Sequence, residues 1–201
     1  MAKKYTANAA GTRQDKLNRF FAVYCGYMNE TGKVDVSISR LCAEASVARV
    51  FFYPVIGSIA SVPNVAFEQV CEKTDALLMD HPAPTCTDVL RVILDAALAC
   101  KYAVAIVMRN AGTRAAYNAY VSALLEKYVF LPETASKAQN EDIQTMNSLF
   151  FFYSLGNVID EALFKAATCD TEAEAQRIVA VMRGIRSAKK AKKPAAEEVA
   201  Q

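Results

Sequence analysis

The chain has 201 residues, 53% of them hydrophobic and 22% charged, with a formal net charge of +2. That composition supports a large core, rules against disorder over most of the length, and suits one domain or a small head with a larger body. Six scattered cysteines (Cys25, Cys42, Cys71, Cys86, Cys100, Cys169) form no Cys-x-x-Cys pair, which argues against a disulfide framework or a zinc site and for small core hydrophobes. The sole histidine, His81, lies between prolines and polar residues, and no nucleophile elbow, phosphate loop, dinucleotide fingerprint or His-Glu-x-x-His is present. No metal, no cofactor and no enzymatic activity are therefore expected.

In chain order, residues 1–11 are polar and start with no apolar leader; a cytoplasmic protein is expected. Leu17, Phe20, Phe21, Tyr24 and Met28 recur at helical spacing, which predicts a first helix over about 12–30, stopped by Gly32. From Val36 to Tyr53 the pattern is a helix, a tight turn and a second short helix. Ser37 is placed to cap the first of these, Ile38, Leu41 and Cys42 form its apolar face, Ala45-Ser46-Val47 supplies the turn, and Phe51, Phe52 and Tyr53 close the second. That is the layout of a helix-turn-helix. Pro54 biases Tyr53 away from helical geometry, which predicts that the second helix stops there.

A break is predicted from Gly57 to Pro63, then a helix to about Met79. His81-Pro82-Ala83-Pro84 reads as the linker between head and body. One long apolar helix is predicted over 85–110, capped by Thr87 with Asp88 at its dipole, and ended by Ala111-Gly112. Further helices are predicted over 113–130 and 138–167, the latter holding the run Phe150-Phe151-Phe152-Tyr153, and from Thr171, where Glu172 and Glu174 open the helix and Arg183 and Arg186 stand near its end. The uncharged run Ile143–Ile159 falls short of the ~20 residues that span a bilayer. No strand is expected. The fold class is all-α. The expected parts are a three-helix head over 1–60, a connecting helix and linker over 61–84, a body over 85–188, and a disordered basic tail over 189–201.

Charge is uneven along the chain. Residues 1–60 hold eight Lys/Arg against four Asp/Glu, a head of +4 that leaves −2 for the remainder. A basic head fits contact with phosphates.

The segment from Ser37 to Tyr53 resembles the tetracycline-repressor (TetR) family of bacterial regulators. Their signature runs roughly Thr-Val-x-x-Ile-Ala-x-x-Ala-Gly-Val-Ser-x-x-Thr-Phe-Tyr-x-Tyr-Phe, and Ser37-Ile38, Leu41-Cys42, Ala45-Ser46-Val47 and Phe52-Tyr53 follow it. Ser46 stands at the turn glycine, Ala48 and Phe51 stand at hydroxyl positions, Val55-Ile56 replaces an aromatic pair, and Ile59 stands near a lysine position. Between Ala48 and Tyr53 only Arg49 and Tyr53 carry side-chain donors or acceptors for DNA.

The resemblance implies a ligand-responsive repressor that binds a palindromic operator as a homodimer. Its expected DNA surface is Lys33, Ser37, Arg40, Ala48, Arg49 and Tyr53, with Arg49 facing the groove and Tyr53 a phosphate. A small-molecule effector site is expected in the body, lined by Tyr102, Ile106, Arg109, Tyr117, Tyr120, Met146 and Phe150. The last two long helices are expected to form the dimer interface. The alternative is a TetR-like ligand-sensing or protein-interaction module without sequence-specific DNA binding, which the apolar Val50-Phe51-Phe52 stretch favours.

Overall fold

A computed structural model describes residues 11–31, 34–129 and 170–192, with side chains in the last helix described as far as Val181. Among the described residues the chain is all-helical, without a strand. The helices are α1 (Arg13–Thr31), α2 (Ile38–Glu44), α3 (Arg49–Val55), α4 (Val62–Met79), α5 (Cys86–Ala99), α6 (Lys101–Arg109), α7 (Ala111–Val129) and α8 (Thr171–Lys192), with a 3-10 turn at Ile59–Ser61. The helix predicted over 138–167 lies outside the described residues. Among the described residues no single helix is long and apolar enough to cross a membrane.

Two compact units emerge, and they do not follow chain order: Met1–Asp75 with Ala99–Tyr117, and Ala76–Leu98 with Asn118–Gln201. The first unit is built on α1. Its face of Leu17, Phe20, Phe21 and Tyr24 is buried, as the helical spacing predicts. α1 packs on α6 and α2, and α2 packs on α3. The packing on α6 explains why residues 99–117, expected in the body, join the head. Polar ties run from α1 as well: Gln69 donates to Asn18 at 2.7 Å, and Arg13 pairs with Glu72 at 3.3 Å.

The second unit holds α5, whose Val89, Leu90, Val92, Ile93, Leu94, Ala96 and Ala97 are all buried. A helix apolar nearly all round belongs inside such a cluster. Asp95, an interruption in that apolar series, accepts a hydrogen bond from the Thr171 hydroxyl at 2.6 Å, and Arg91 reaches Glu172 at 3.5 Å, so the start of α8 is tied to α5.

Several boundaries differ from the sequence expectation. Thr85, not Thr87, caps α5: its hydroxyl accepts from the Asp88 N–H at 3.2 Å while the Asp88 carboxylate accepts from the Thr85 N–H at 2.9 Å. This reciprocal pair is a capping box with aspartate in the glutamate position; the Thr85 hydroxyl, which donates to the same carboxylate at 2.6 Å, and the Thr85 N–H hold the Asp88 carboxyl below its usual range. The single helix predicted over 85–110 is two helices, broken at Cys100. No glycine or proline stands there. The thiol of Cys100 is buried and accepts from Gln14 at 3.4 Å, a tertiary contact that local sequence does not announce. Ala111 and Gly112 open α7 instead of breaking a helix, because Asn110 caps it through Oδ1 to the Thr113 N–H at 3.1 Å. α8 continues to Lys192, past the end expected near residue 188.

The turn between α2 and α3 has a defined geometry. The Val47 N–H returns to the Cys42 carbonyl at 2.9 Å, the Ser46 N–H returns to Ala43 at 3.1 Å, and Ser46 has φ 52°. That is a Schellman motif with serine in the left-handed position that glycine usually fills. A left-handed conformation costs an L residue about 1–2 kcal/mol, partly offset by serine's lower entropy when unfolded. Ser46→Gly is therefore expected to stabilise the protein by about 0.5–1 kcal/mol, read as a higher denaturation midpoint in urea. An unchanged or lower midpoint would show that the turn carries no strain.

Candidate nucleic-acid interface

Ser37 stands in extended conformation and its hydroxyl accepts from the Arg40 N–H at 3.2 Å, which starts α2. Leu41 and Cys42 turn inward. After the Ser46 turn, α3 begins at Arg49 with Ala48 as an N-cap that has no side-chain bond. Phe52 is the anchor of α3. It is fully buried, with its ring centroid 5.4 Å from that of Phe20 on α1.

Pro54 does not stop the helix at Tyr53, contrary to expectation: α3 runs to Val55 with Pro54 inside it. The missing N–H of Pro54 would have met the Val50 carbonyl, four residues back, and Val50 is exposed. The helix ends one residue after Pro54. There the N–H groups of Ile56 and Gly57 both reach the Phe52 carbonyl, at 2.8 and 3.2 Å, and Gly57 takes φ 80°.

With Phe52 inward, the outward face of α3 carries Ala48, Arg49, Val50, Tyr53 and Pro54. Val50 is 80% exposed and Tyr53 56%. Arg49 is exposed, and its Nη1 donates to the Ser39 hydroxyl on α2 at 3.1 Å. No carboxylate among the described residues pairs with it. The guanidinium is thus oriented by a neutral partner and keeps its charge available. Phe51 is half-buried beneath the Lys16 ammonium, 5.4 Å from its ring centroid, so the aromatic run does not form the bare patch its sequence suggested.

The head's other cations behave differently. Arg40 donates to Glu44 at 2.9 Å and lies over the Tyr27 ring, while Tyr27 donates to the same Glu44 oxygen at 2.7 Å. Those two bonds hold the Glu44 carboxyl below its usual range. Arg19 donates through Nε to the Ala45 carbonyl at 3.3 Å, which pins the turn to α1. Arg13 pairs with Glu72. The +4 of the head is therefore not a uniform patch: among its described cations, Arg13 and Arg40 pair with carboxylates and Arg19 is held by a carbonyl, which leaves Arg49 and Lys16.

Of the expected DNA residues, the structure gathers Ser37, Arg40, Ala48, Arg49 and Tyr53 on α2, the turn and α3; Lys33 lies outside the described residues. Ser37 and Arg40 have structural work within the head. Sequence reasoning missed three residues that shape this surface: Ser39, Lys16 and Val50. Ser39 falls three residues before a buried position, a spacing that gives no hint of a bond to Arg49. Val50 was taken with its apolar neighbours, although helical spacing from Phe52 places it on the other side.

The expected effector residues are dispersed. Ile106 and Tyr117 are buried in the first unit, where burial pushes the Tyr117 phenol up in pKa. Cys25 donates its thiol to the Tyr102 carbonyl at 3.4 Å, and burial raises that thiol to about 11. Arg109 is exposed in the last turn of α6, where its charge complements the helix C-terminus. Tyr120 belongs to the second unit, and Met146 and Phe150 lie outside the described residues. Among the described residues no group of three His, Cys, Asp or Glu side chains is placed to hold a metal ion.

No protein-family model matches the chain, and no curated protein matches it.

Proposed function

We propose that this chain is a DNA-binding transcriptional regulator of the TetR type, a repressor that reads a palindromic operator as a homodimer and responds to a small-molecule effector. The observation that carries the reading is the outward face of α3. Arg49 stands in the first turn, oriented by Ser39 and without a carboxylate partner among the described residues, on the second of two short helices joined by a tight turn. The first turn of a recognition helix is where base edges are met, and a guanidinium pairs best with guanine O6 and N7. Tyr53, exposed one turn later, is suited to a phosphate, a contact that positions without reading sequence.

A second reading has its own support. Val50 and Tyr53 leave apolar surface in solvent, and an exposed apolar patch also suits a protein partner. Selection from a random duplex pool separates the two. The DNA reader enriches an inverted repeat with half-sites one helical turn or a multiple apart. Folded protein that enriches nothing sinks the DNA reading and leaves the interaction module.

Tyr53→Phe removes one hydroxyl and keeps the ring. About a two- to tenfold loss of affinity per subunit is expected, shared by selected and scrambled duplexes alike, from the roughly 0.5–1.5 kcal/mol of one hydrogen bond. Electrophoretic mobility shift on both duplexes checks it; a loss confined to the selected duplex would make Tyr53 a base reader.

A further inference from the structure

We infer that Val50 reads the C5-methyl group of a thymine in each operator half-site, beside the guanine met by Arg49. The inference rests on the DNA-reading function proposed above and names part of the sequence that function recognises.

Val50 is 80% exposed, matched among the described large hydrophobic residues only by Met79 at 82%. Packing does not explain its identity, because Phe52 supplies the buried anchor of α3 and Ile56 the next buried position. Successive helical residues turn by about 100°. The outward arc therefore runs Arg49, Tyr53, Val50, Pro54, with Val50 inside the arc and not at its edge. Val50 shares the first turn of α3 with Arg49, so the two side chains face the same stretch of a bound duplex.

An isopropyl group has no donor and no acceptor. Of the features that distinguish base pairs in the major groove, the thymine methyl is the one an aliphatic side chain can recognise. Ala48, also exposed and apolar, precedes the helix as its cap and stands outside its first turn. Arg49 and Val50 together thus specify a guanine and an adjacent or nearby thymine. Such a pair needs no hydroxyl at positions 48 and 51, where the TetR signature has them.

The test is selection from an unmethylated random duplex pool with the parent protein and with Val50→Ala, so that any enriched methyl is thymine's. Alanine at an exposed helical site favours the helix, and circular dichroism confirms folding. The parent is expected to enrich a thymine column beside its guanine column; Val50→Ala is expected to keep the guanine and lose the thymine. Replacing that thymine by deoxyuridine removes only the methyl, and should weaken the parent about fourfold per thymine, from the transfer free energy of one methyl-sized group, and leave Val50→Ala unaffected. Identical columns for the two proteins, or deoxyuridine effects equal in both, overturn the inference and fit a valine that faces a protein partner. If the parent enriches no sequence at all, the DNA reading fails with it; an enriched operator without the thymine column sinks this inference alone.

Discussion

Phe52→Ala is expected to destabilise the protein by about 3–5 kcal/mol, the range for deleting a buried aromatic ring. Phe52 has no exposed surface, its ring packs against Phe20, and it is the buried member of a seven-residue helix. A helix that short has little stability of its own and is held by tertiary packing. Removing the ring leaves a cavity against α1 and releases the one aromatic anchor that sets the pitch of α3 over the turn. Urea unfolding followed by circular dichroism at 222 nm, a helix signal that needs no tryptophan in a chain that has none, measures the loss. Phe52→Leu keeps most of the volume and should cost less than half as much. Equal stability for Phe52→Ala and the parent would mean that α3 is not anchored through this ring.

Arg49→Ala should act in the opposite place. Arg49 is exposed and its one described hydrogen bond, to Ser39, is on the surface, so stability should change by no more than about 0.5 kcal/mol. Affinity for the selected duplex should fall about 5- to 150-fold per half-site, the range of one bidentate base contact. Affinity for a scrambled duplex should fall far less. Arg49→Lys preserves charge without the planar fork and should recover non-specific binding but not the guanine preference. Fluorescence anisotropy on both duplexes reads this directly. An equal loss on both would make Arg49 a phosphate contact and remove it from the reading surface.

How far the sequence carried this picture depends on the physics behind each signal. Periodicity located the buried face of α1 and the start of α2 at Ser37, because those features follow from the residues that form them. The left-handed turn was foreseeable only as a condition on Ser46; the backbone angle supplies the answer. Pro54 was misjudged because proline's rule against helices weakens where the bond it deletes falls on an exposed carbonyl. The Thr85–Asp88 box was two residues from the cap assigned at Thr87, a boundary error of ordinary size.

The break at Cys100 was illegible because no glycine or proline marks it, and the joining of α6 to α1 because it is a contact between distant segments. At the candidate interface, the residue types of Arg49 and Tyr53 were enough to nominate them. The bond from Ser39 required the geometry of α2 against α3, whereas the outward position of Val50 follows from helical spacing once Phe52 is placed inward. A head charge of +4 suggested a broad basic patch, yet ion pairs with Glu72 and Glu44 and the bond to Ala45 engage Arg13, Arg40 and Arg19 within the head.

The central claim is that the outward face of α3 reads DNA sequence. Its most direct test is the ratio of affinities for a selected duplex and a scrambled duplex of equal length, measured at physiological salt. A ratio of about 1,000 or more is expected, reduced toward unity by Arg49→Ala. A ratio near one in folded parent protein would contradict it, whatever the absolute affinity, because charge by itself binds both duplexes alike.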